Sequence, residues 1–324
     1  MKAIVQTRYG PPDEVLELRE VEKPAPKEGE VLVRVQAAAV HAGDTFGVRG
    51  SPFVVRSATG LRKPKYGPGY DLAGEVEAVG GGVSQFAPGD AVFGAATGTC
   101  AEYVCVKQDK LAPKPAPLTS EEAAALPTSG LAALHGLRRA GEVKAGQQVL
   151  IIGASGGVGS FAVQIAKADG AEVTGVCSTP HVELVRSLGA DHVIDYTQED
   201  FTQGGPRYDL ILDNVENRSL ADCRRALKPN GTLVLNSGSG AAGLGLMWRL
   251  LKPLLLSPFS RQNLRRYLSL PKQEDLLVLK DLAEAGKLRP AIDRTYPLAE
   301  TAAALSYLES RHAQGKVVIA VAAG

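Results

Sequence analysis

The pattern of apolar and polar positions changes character part-way along the chain. Up to Ser120 the apolar residues come in short runs. Val31 to Val40 (VLVRVQAAAV) alternates at its start, as a half-buried strand does. Glu75 to Val79 and Ala101 to Val106 are similar short strands. Turn formers separate them: Gly67-Pro68-Gly69, Gly80-Gly81-Gly82 and Pro88-Gly89-Asp90. This half predicts a barrel-like domain of short strands.

From Ser120 the texture is different. SEEAAALPTSGLAALHGL predicts a helix, with Thr119 or Ser120 as N-cap ahead of Glu121 and Glu122. Strand-like and helix-like runs then alternate. Strands are predicted at Val149–Ile152, Glu172–Val176, His192–Ile194, Leu210–Leu212 and Thr232–Leu235. Helices are predicted near Val158–Ala168, Val182–Ser187 and Leu220–Leu227. The rhythm is that of βαβ units, an α/β doubly wound parallel sheet with helices on both faces. Beyond the Gly/Ser-rich loop Ser237 to Gly240, a helix is predicted over Glu274–Ala285 and a closing strand over Lys316–Val321.

Composition narrows the class. A chain of 324 residues is two domains at roughly 150 residues each. Hydrophobic residues are 44% and charged residues 22%, which excludes disordered, collagen-like and membrane-bundle chains. The formal charge of +1 gives no basic excess for nucleic acid. Cys100, Cys105, Cys177 and Cys223 form no metal-binding spacing, and a chain this long needs no disulfides. A reducing compartment, the cytoplasm, is expected. Met1 to Gly10 has no apolar run of a signal peptide. The most apolar stretch, Leu244 to Leu256, is broken by Arg249, Lys252 and Pro253, and is shorter than the ~20 residues a bilayer requires.

The sharpest motif runs from Val149 to Ser178. An apolar strand ends at Gly153, the loop Ala154-Ser155-Gly156-Gly157-Val158-Gly159 opens a helix, and a second strand follows. Such glycines let the backbone approach a pyrophosphate, and the helix start offers free N–H groups to the anion. An NAD-preferring site would place Asp or Glu about 20 residues further on. Here the second strand ends in Cys177-Ser178-Thr179-Pro180. Ser178 and Thr179 can donate to a 2′-phosphate, Tyr196 can add a phenolic donor, and His181 and Arg186 can add positive charge. The expected cofactor is NADPH.

These segments, with MKAIVQTRYGPPDEVLEL, PGYDLAGEVEAVG, FAPGDAVFG, EEAAALPTSGLAAL, LGADHVIDY, DLILDNV and RHAQGKVVIAV, carry a resemblance. In this order and spacing the chain resembles the medium-chain dehydrogenase/reductase superfamily over nearly its whole length. Within it, the chain is similar to the zinc-free quinone oxidoreductase-like branch, near bacterial relatives of the mitochondrial reticulon-interacting oxidoreductase. The resemblance implies a GroES-like catalytic domain over 1–122 and 272–324, and an inserted Rossmann domain over 123–271. It implies an active site in the cleft between them and a homodimer or tetramer. It implies nucleotide contacts at Ser155, Gly157, Val158, Ser178, Tyr196, Asn214 and His312, beside Gly156 of the glycine loop.

Zinc-dependent relatives carry a Cys and a Gly-His-Glu. At those places this chain has His41, three residues before Asp44, and Tyr70-Asp71. No metal is expected, although His41 and Asp71 are together a conceivable pair of ligands. Without a Lewis acid, conjugated acceptors such as quinones and α,β-unsaturated carbonyls are the accessible substrates, because a few hydrogen-bond donors can stabilise their developing oxyanion. Many relatives have Asn at His41 and Tyr at Phe46. The donors expected here are His41 and Tyr70, with Tyr66 as an alternative. Arg49 is expected in a salt bridge, Asp44 as a turn or cap residue, and His135 and His192 as ordinary helix and strand-end residues.

From Cys223 to Gln273 there is no Asp or Glu, yet there are nine Lys and Arg. Residues 244–268 read as a buried helix pair, a lid or a dimer surface, or as a peripheral contact with an anionic membrane. Two other functions stay open: a reversible alcohol/carbonyl dehydrogenase, and a non-catalytic NADPH-binding sensor.

Overall fold

The structure, a computed structural model, describes residues 1–204, 207–236, 261–310 and 313–321. The chain forms two compact units, Met1–Leu131 with Leu270–Gly324, and Ala132–Ser269.

The first unit is built on a long strand, β3 (Glu30–Val40). The other strands of this unit are β1 (Lys2–Gln6), β2 (Leu16–Glu20), β4 (Asp71–Val79), β5 (Ala91–Ala95), β6 (Tyr103–Lys107) and β7 (Leu111–Pro113), and near the chain end β14 (Ile292–Pro297) and β15 (Lys316–Ala320). The main sheet runs β14-β15-β3-β4-β5-β7, with β6 also paired to β3. β3 turns a corner. Its first half pairs with β6 and its second half with β15, while β4 follows along its other edge through two register shifts. Enclosure on both sides explains why the alternation of β3 fades after Arg34 and Ala37–Val40 are all buried. Val33, Val35, Leu72, Val76, Val92, Leu111, Val317 and Ile319 form the core.

The second unit holds β8 (Gln148–Ile152), β9 (Glu172–Cys177), β10 (His192–Asp195), β11 (Tyr208–Asp213), β12 (Leu227–Leu235) and β13 (Asn263–Arg266). Their order is β10-β9-β8-β11-β12-β13, and every pairing is parallel. Helices Gly157–Ala168, Val182–Ser187 and Leu220–Ala226 connect them. Val149, Leu150 and Ile151 are fully buried, as a strand covered on both faces requires. The strand order reverses between β8 and β11, the place where such sheets bind ligands beyond their carboxyl ends.

Two sequence expectations change. The single helix expected after Ser120 is three pieces, Ser120–Ala125, Pro127–Leu134 and a π-helical His135–Ala140. Pro127 opens the second because it lacks the N–H needed to continue the first. Thr119 is the N-cap, in a capping box with Glu122. Within the stretch 244–268, residues 244–260 lie outside the described residues, and Asn263–Arg266 is an edge strand rather than helix. The loop expected at Ser237 to Gly240 lies outside them too. The hairpin β1–β2 was not apparent in the sequence because LELRE faces solvent and carries its charges on an edge.

Candidate functional site

Two groups of residues matter, one in each unit. In the second unit, β8 delivers the chain to Gly153, and Gly156 caps the helix Gly157–Ala168 with no side-chain hydrogen bond. The opening N–H groups of that helix, on Gly157, Val158 and Gly159, have no side chain to cap them. Gly159 must be glycine because a Cβ there would meet the Gly153 carbonyl oxygen at 2.0 Å. Gly156 has no such constraint, since its nearest neighbour would be Gly153 O at 3.5 Å. The fold therefore leaves open space at Gly156. The hydroxyl of Ser155 makes no hydrogen bond to the described residues.

The carboxyl ends of the neighbouring strands complete the group. Ser178 follows β9, and its hydroxyl caps nothing. Thr179 is different from expectation, because its hydroxyl donates to Asp195. Asp195 lies across from Cys177 in the register of β9 and β10. It is an acid at the carboxyl end of β10 that sequence spacing did not reveal, and it is fully engaged. One of its oxygens accepts the N–H and hydroxyl of Thr197, the other accepts Thr179 and Gln198. These bonds, that of Thr179 foremost, hold its carboxyl below the usual range. Arg186 is likewise spent on Glu183, at 2.6 Å. His181 closes a turn on the Ser178 carbonyl, and its buried Nδ1 has no partner among the described residues. Tyr196 is half exposed, with its N–H bonded to Cys177 O. Asn214 donates from Nδ2 to Ile152 O at 3.1 Å and accepts from Asn236 at 2.8 Å, tying the ends of β8, β11 and β12 together. His312 lies outside the described residues. An open cavity of about 390 Å³ sits at the amino ends of these strands, lined by Gln148, Glu172, His192 and Tyr208, and holds none of these residues.

In the first unit, His41 ends the run of β3 and caps helix Ala42–Arg49. The cap is reciprocal. Asp44 Oδ2 accepts the His41 N–H at 2.8 Å and lies 3.0 Å from His41 Nδ1, that nitrogen when unprotonated accepts the Asp44 N–H at 3.3 Å, and Asp44 Oδ1 accepts the Gly69 N–H at 3.1 Å. The side chain of His41 is 21% exposed. Burial pushes its pKa down, but the Asp44 carboxylate and the charge of Asp71 outweigh this and the net direction is up. For Asp44 burial raises the pKa, and His41 with the two backbone donors brings it below the usual range. In the imidazolium, Nδ1–H faces Asp44 and Nε2–H is left to donate elsewhere. The Tyr70 ring stands 6.2 Å from that of His41. Burial, then Asp71 and Asp44, raise the Tyr70 pKa, so its hydroxyl keeps its proton.

Next to these is a pair that sequence reasoning did not find. Asp71, at 0% exposure, accepts from the N–H and hydroxyl of Thr128 through Oδ1. It thereby caps helix Pro127–Leu134. Its Oδ2 lies 3.2 Å from Lys316 Nζ, and Lys316 is 2% exposed and also reaches Ser129 Oγ at 3.1 Å. Sheet register brings them together: Ala39 pairs with Asp71 on one side of β3, and Val40 with Val317 on the other. The sequence signal for Lys316 was slight, one cation at the start of an apolar strand.

Two family models match the chain. The alcohol dehydrogenase GroES-like domain matches residues 27–116, and the family described as zinc-binding dehydrogenase matches residues 188–319. The chain is 34% identical to the NADPH-dependent alkenal/one oxidoreductase of Arabidopsis thaliana, over 98% of this chain and 79% of that protein. This chain belongs to the medium-chain dehydrogenase/reductase superfamily. It is also 37% identical to the mouse mitochondrial NAD(P)H oxidoreductase RTN4IP1, over 78% of this chain and 70% of that protein. The quinone oxidoreductase of Coxiella burnetii superposes with a TM-score of 0.86 at 33% identity, covering 99% of both chains.

The family description mentions zinc, and the donors here do not fit it. A catalytic zinc takes three protein ligands and keeps a fourth position open. Asp71 has both oxygens committed to Thr128 and Lys316, and His41 Nδ1 is committed to Asp44. The Cys100 thiol is buried and its pKa is pushed far up, which opposes the thiolate a metal needs. No cluster of three His, Cys, Asp or Glu suited to a metal occurs among the described residues. A nicotinamide dinucleotide does fit, on the uncapped helix start, the space at Gly156, the free Ser178 hydroxyl and the orphaned His181 nitrogen.

The remaining expectations find their places. Arg49 forms a forked ion pair with Glu309, and Asp44 is a cap. His135 bonds Ser269 inside its helix packing, and His192 pairs with Glu172 at a strand start. Tyr66 is 54% exposed and Phe46 is 42% exposed. Cys177 and Cys223 are pushed up to about 11 and about 12 by burial, which opposes thiolate formation.

Proposed function

We propose that this protein is a zinc-independent, NADPH-dependent reductase of quinones or α,β-unsaturated carbonyls. The observation that carries this reading is His41 held by Asp44, with the Tyr70 ring 6.2 Å away and the Asp71 carboxylate already committed to Thr128 and Lys316. NADPH supplies a hydride when bound. Ser155, Gly156, Gly157 and Val158 would hold its pyrophosphate, with His312 and Asn214 as further contacts. Ser178 and Tyr196 would face the adenosine ribose and its 2′-phosphate, and His181 offers that anion a ring nitrogen.

The chain's own contribution is to oxyanion charge. His41 Nε2–H and the Tyr70 hydroxyl donate to the oxygen on which charge builds in a conjugated acceptor. Asp44 orients the imidazole and favours its cationic form, so His41 also has a proton to give. The relatives named for quinone and alkenal/one reduction support this choice of substrate class. The proposal includes 1–122 with 272–324 as the catalytic domain, 123–271 as the nucleotide-binding domain, a homodimer and a cytoplasmic location. Residues 244–268 are assigned to a lid, a dimer surface or a peripheral membrane contact. No helix among the described residues is long and apolar enough to cross a membrane.

The test is steady-state turnover with NADPH against quinones, enones, enals and simple aldehydes. Conjugated acceptors are expected to turn over well above simple aldehydes, and His41→Ala is expected to lower kcat/KM by about 10²-fold. Preference for simple alcohols and aldehydes would make the protein an alcohol/carbonyl dehydrogenase. Tight NADPH binding with no turnover would make it a sensor.

A further inference from the structure

Between Asp44 and Asp71 the chain has no acidic residue. The same stretch carries Arg49, Arg56, Arg62, Lys63 and Lys65. Arg49 is paired with Glu309, and Arg56 stacks over the rings of Tyr9 and Phe53 at 4.5 and 5.4 Å. Arg62, Lys63 and Lys65 are exposed and form no ion pair with any described residue.

Large apolar side chains stand out among these cations. Phe53 is 69% exposed, Val54 62% and Leu61 64%. A scattered exposed Leu is ordinary, but three large apolar residues this exposed within one short loop call for a reason. The loop is not slack. The Tyr9 hydroxyl bonds Thr59 Oγ1 at 2.9 Å, the Lys65 N–H bonds Thr59 O at 2.9 Å, and Gly60 closes the turn Arg56–Thr59. A built platform thus holds the apolar side chains out, in the same loop as the unpaired cations Arg62, Lys63 and Lys65.

We propose that the loop Phe53–Lys65 docks this protein on an anionic lipid surface. Charge complementarity decides the occupant. Unneutralised Lys and Arg beside projecting Phe, Val and Leu suit anionic headgroups over an acyl boundary. An apolar patch meeting a second copy of itself would bring these same cations against each other. The loop is distinct from 244–268, and the inference does not depend on what the protein reduces.

Co-sedimentation of the full chain with vesicles tests it. Vesicles of equal phosphatidylglycerol and phosphatidylcholine are expected to bind the protein at 0.1 M salt and release it at 0.5 M, while phosphatidylcholine alone does not bind it. The triple variant Arg62→Gln, Lys63→Gln, Lys65→Gln is expected to bind about a hundredfold more weakly, at roughly fivefold per cation. Phe53→Ser with Leu61→Ser is expected to weaken binding at unchanged circular dichroism and unchanged turnover of a water-soluble acceptor. Failure to bind anionic vesicles overturns the proposal. So does binding that survives both sets of substitutions, or a dimer in sedimentation velocity that Phe53→Ser dissociates.

Discussion

Lys316 and Asp71 are an ion pair at 2% and 0% exposure, so each depends on the other. Removing one member of a buried pair leaves the other charged and unpaired, at a cost of about 3–5 kcal/mol. Lys316→Met is therefore expected to lower unfolding stability by about that amount, measured in denaturant. Adding Asp71→Asn should restore most of it, because the amide oxygen can still accept from Thr128. Equal loss in the single and double variants would show that the pair does not act as a unit. His41 makes a second prediction at this scale. Its folded pKa lies above the ordinary 6.5. Its charged form therefore contributes stability that is full below about pH 6.5 and is lost as pH rises through the folded value. The Asp44 pKa is lowered, so its contribution is present above its ordinary value and lost as pH falls through the folded one. The kcat/KM for an enone is expected to decline as pH rises through the His41 titration, and His41→Gln should abolish that decline. At this scale the sequence singled out His41 and Tyr70 but not the groups that restrain them. His41 and Asp44 are neighbours in the chain, whereas Tyr70, Lys316 and Asp195 reach their partners only through strand register.

At the scale of elements, the glycine loop separates packing from binding. Gly159→Ala forces a Cβ against Gly153 O, so it is expected to destabilise the unit and weaken NADPH together. Gly156→Ala meets nothing closer than 3.5 Å, so it should leave the melting temperature unchanged while NADPH affinity falls at least tenfold. Calorimetry and a binding titration on both variants check this. If Gly156→Ala binds NADPH normally, the pyrophosphate does not approach there. Ser178 decides the nucleotide in the same way. Ser178→Asp is expected to reverse the preference toward NADH, because a carboxylate repels the 2′-phosphate and accepts from a 2′-hydroxyl. The βαβ rhythm made the parallel sheet legible, since period and punctuation agree along it. The exposed hairpin β1–β2 and the edge strand β13 were not legible, because edge strands carry charge where a half-buried strand alternates and a fully buried one is continuously apolar.

For the whole molecule, the reading rests on two independent chemistries in one chain. One unit presents an uncapped helix start with space for a phosphate. The other presents His41 and Tyr70 beside an Asp71 carboxylate already bonded to Thr128 and Lys316. Family membership accounts for the fold, but it covers proteins with and without zinc, so the site residues must decide the chemistry. The most direct measurement is the oxidation of NADPH at 340 nm by protein stripped with a strong chelator, with a quinone and an enone as acceptors and NADH in parallel. The account predicts undiminished turnover after stripping and faster turnover with NADPH than with NADH. Activity that vanishes on stripping and returns only with zinc would contradict it.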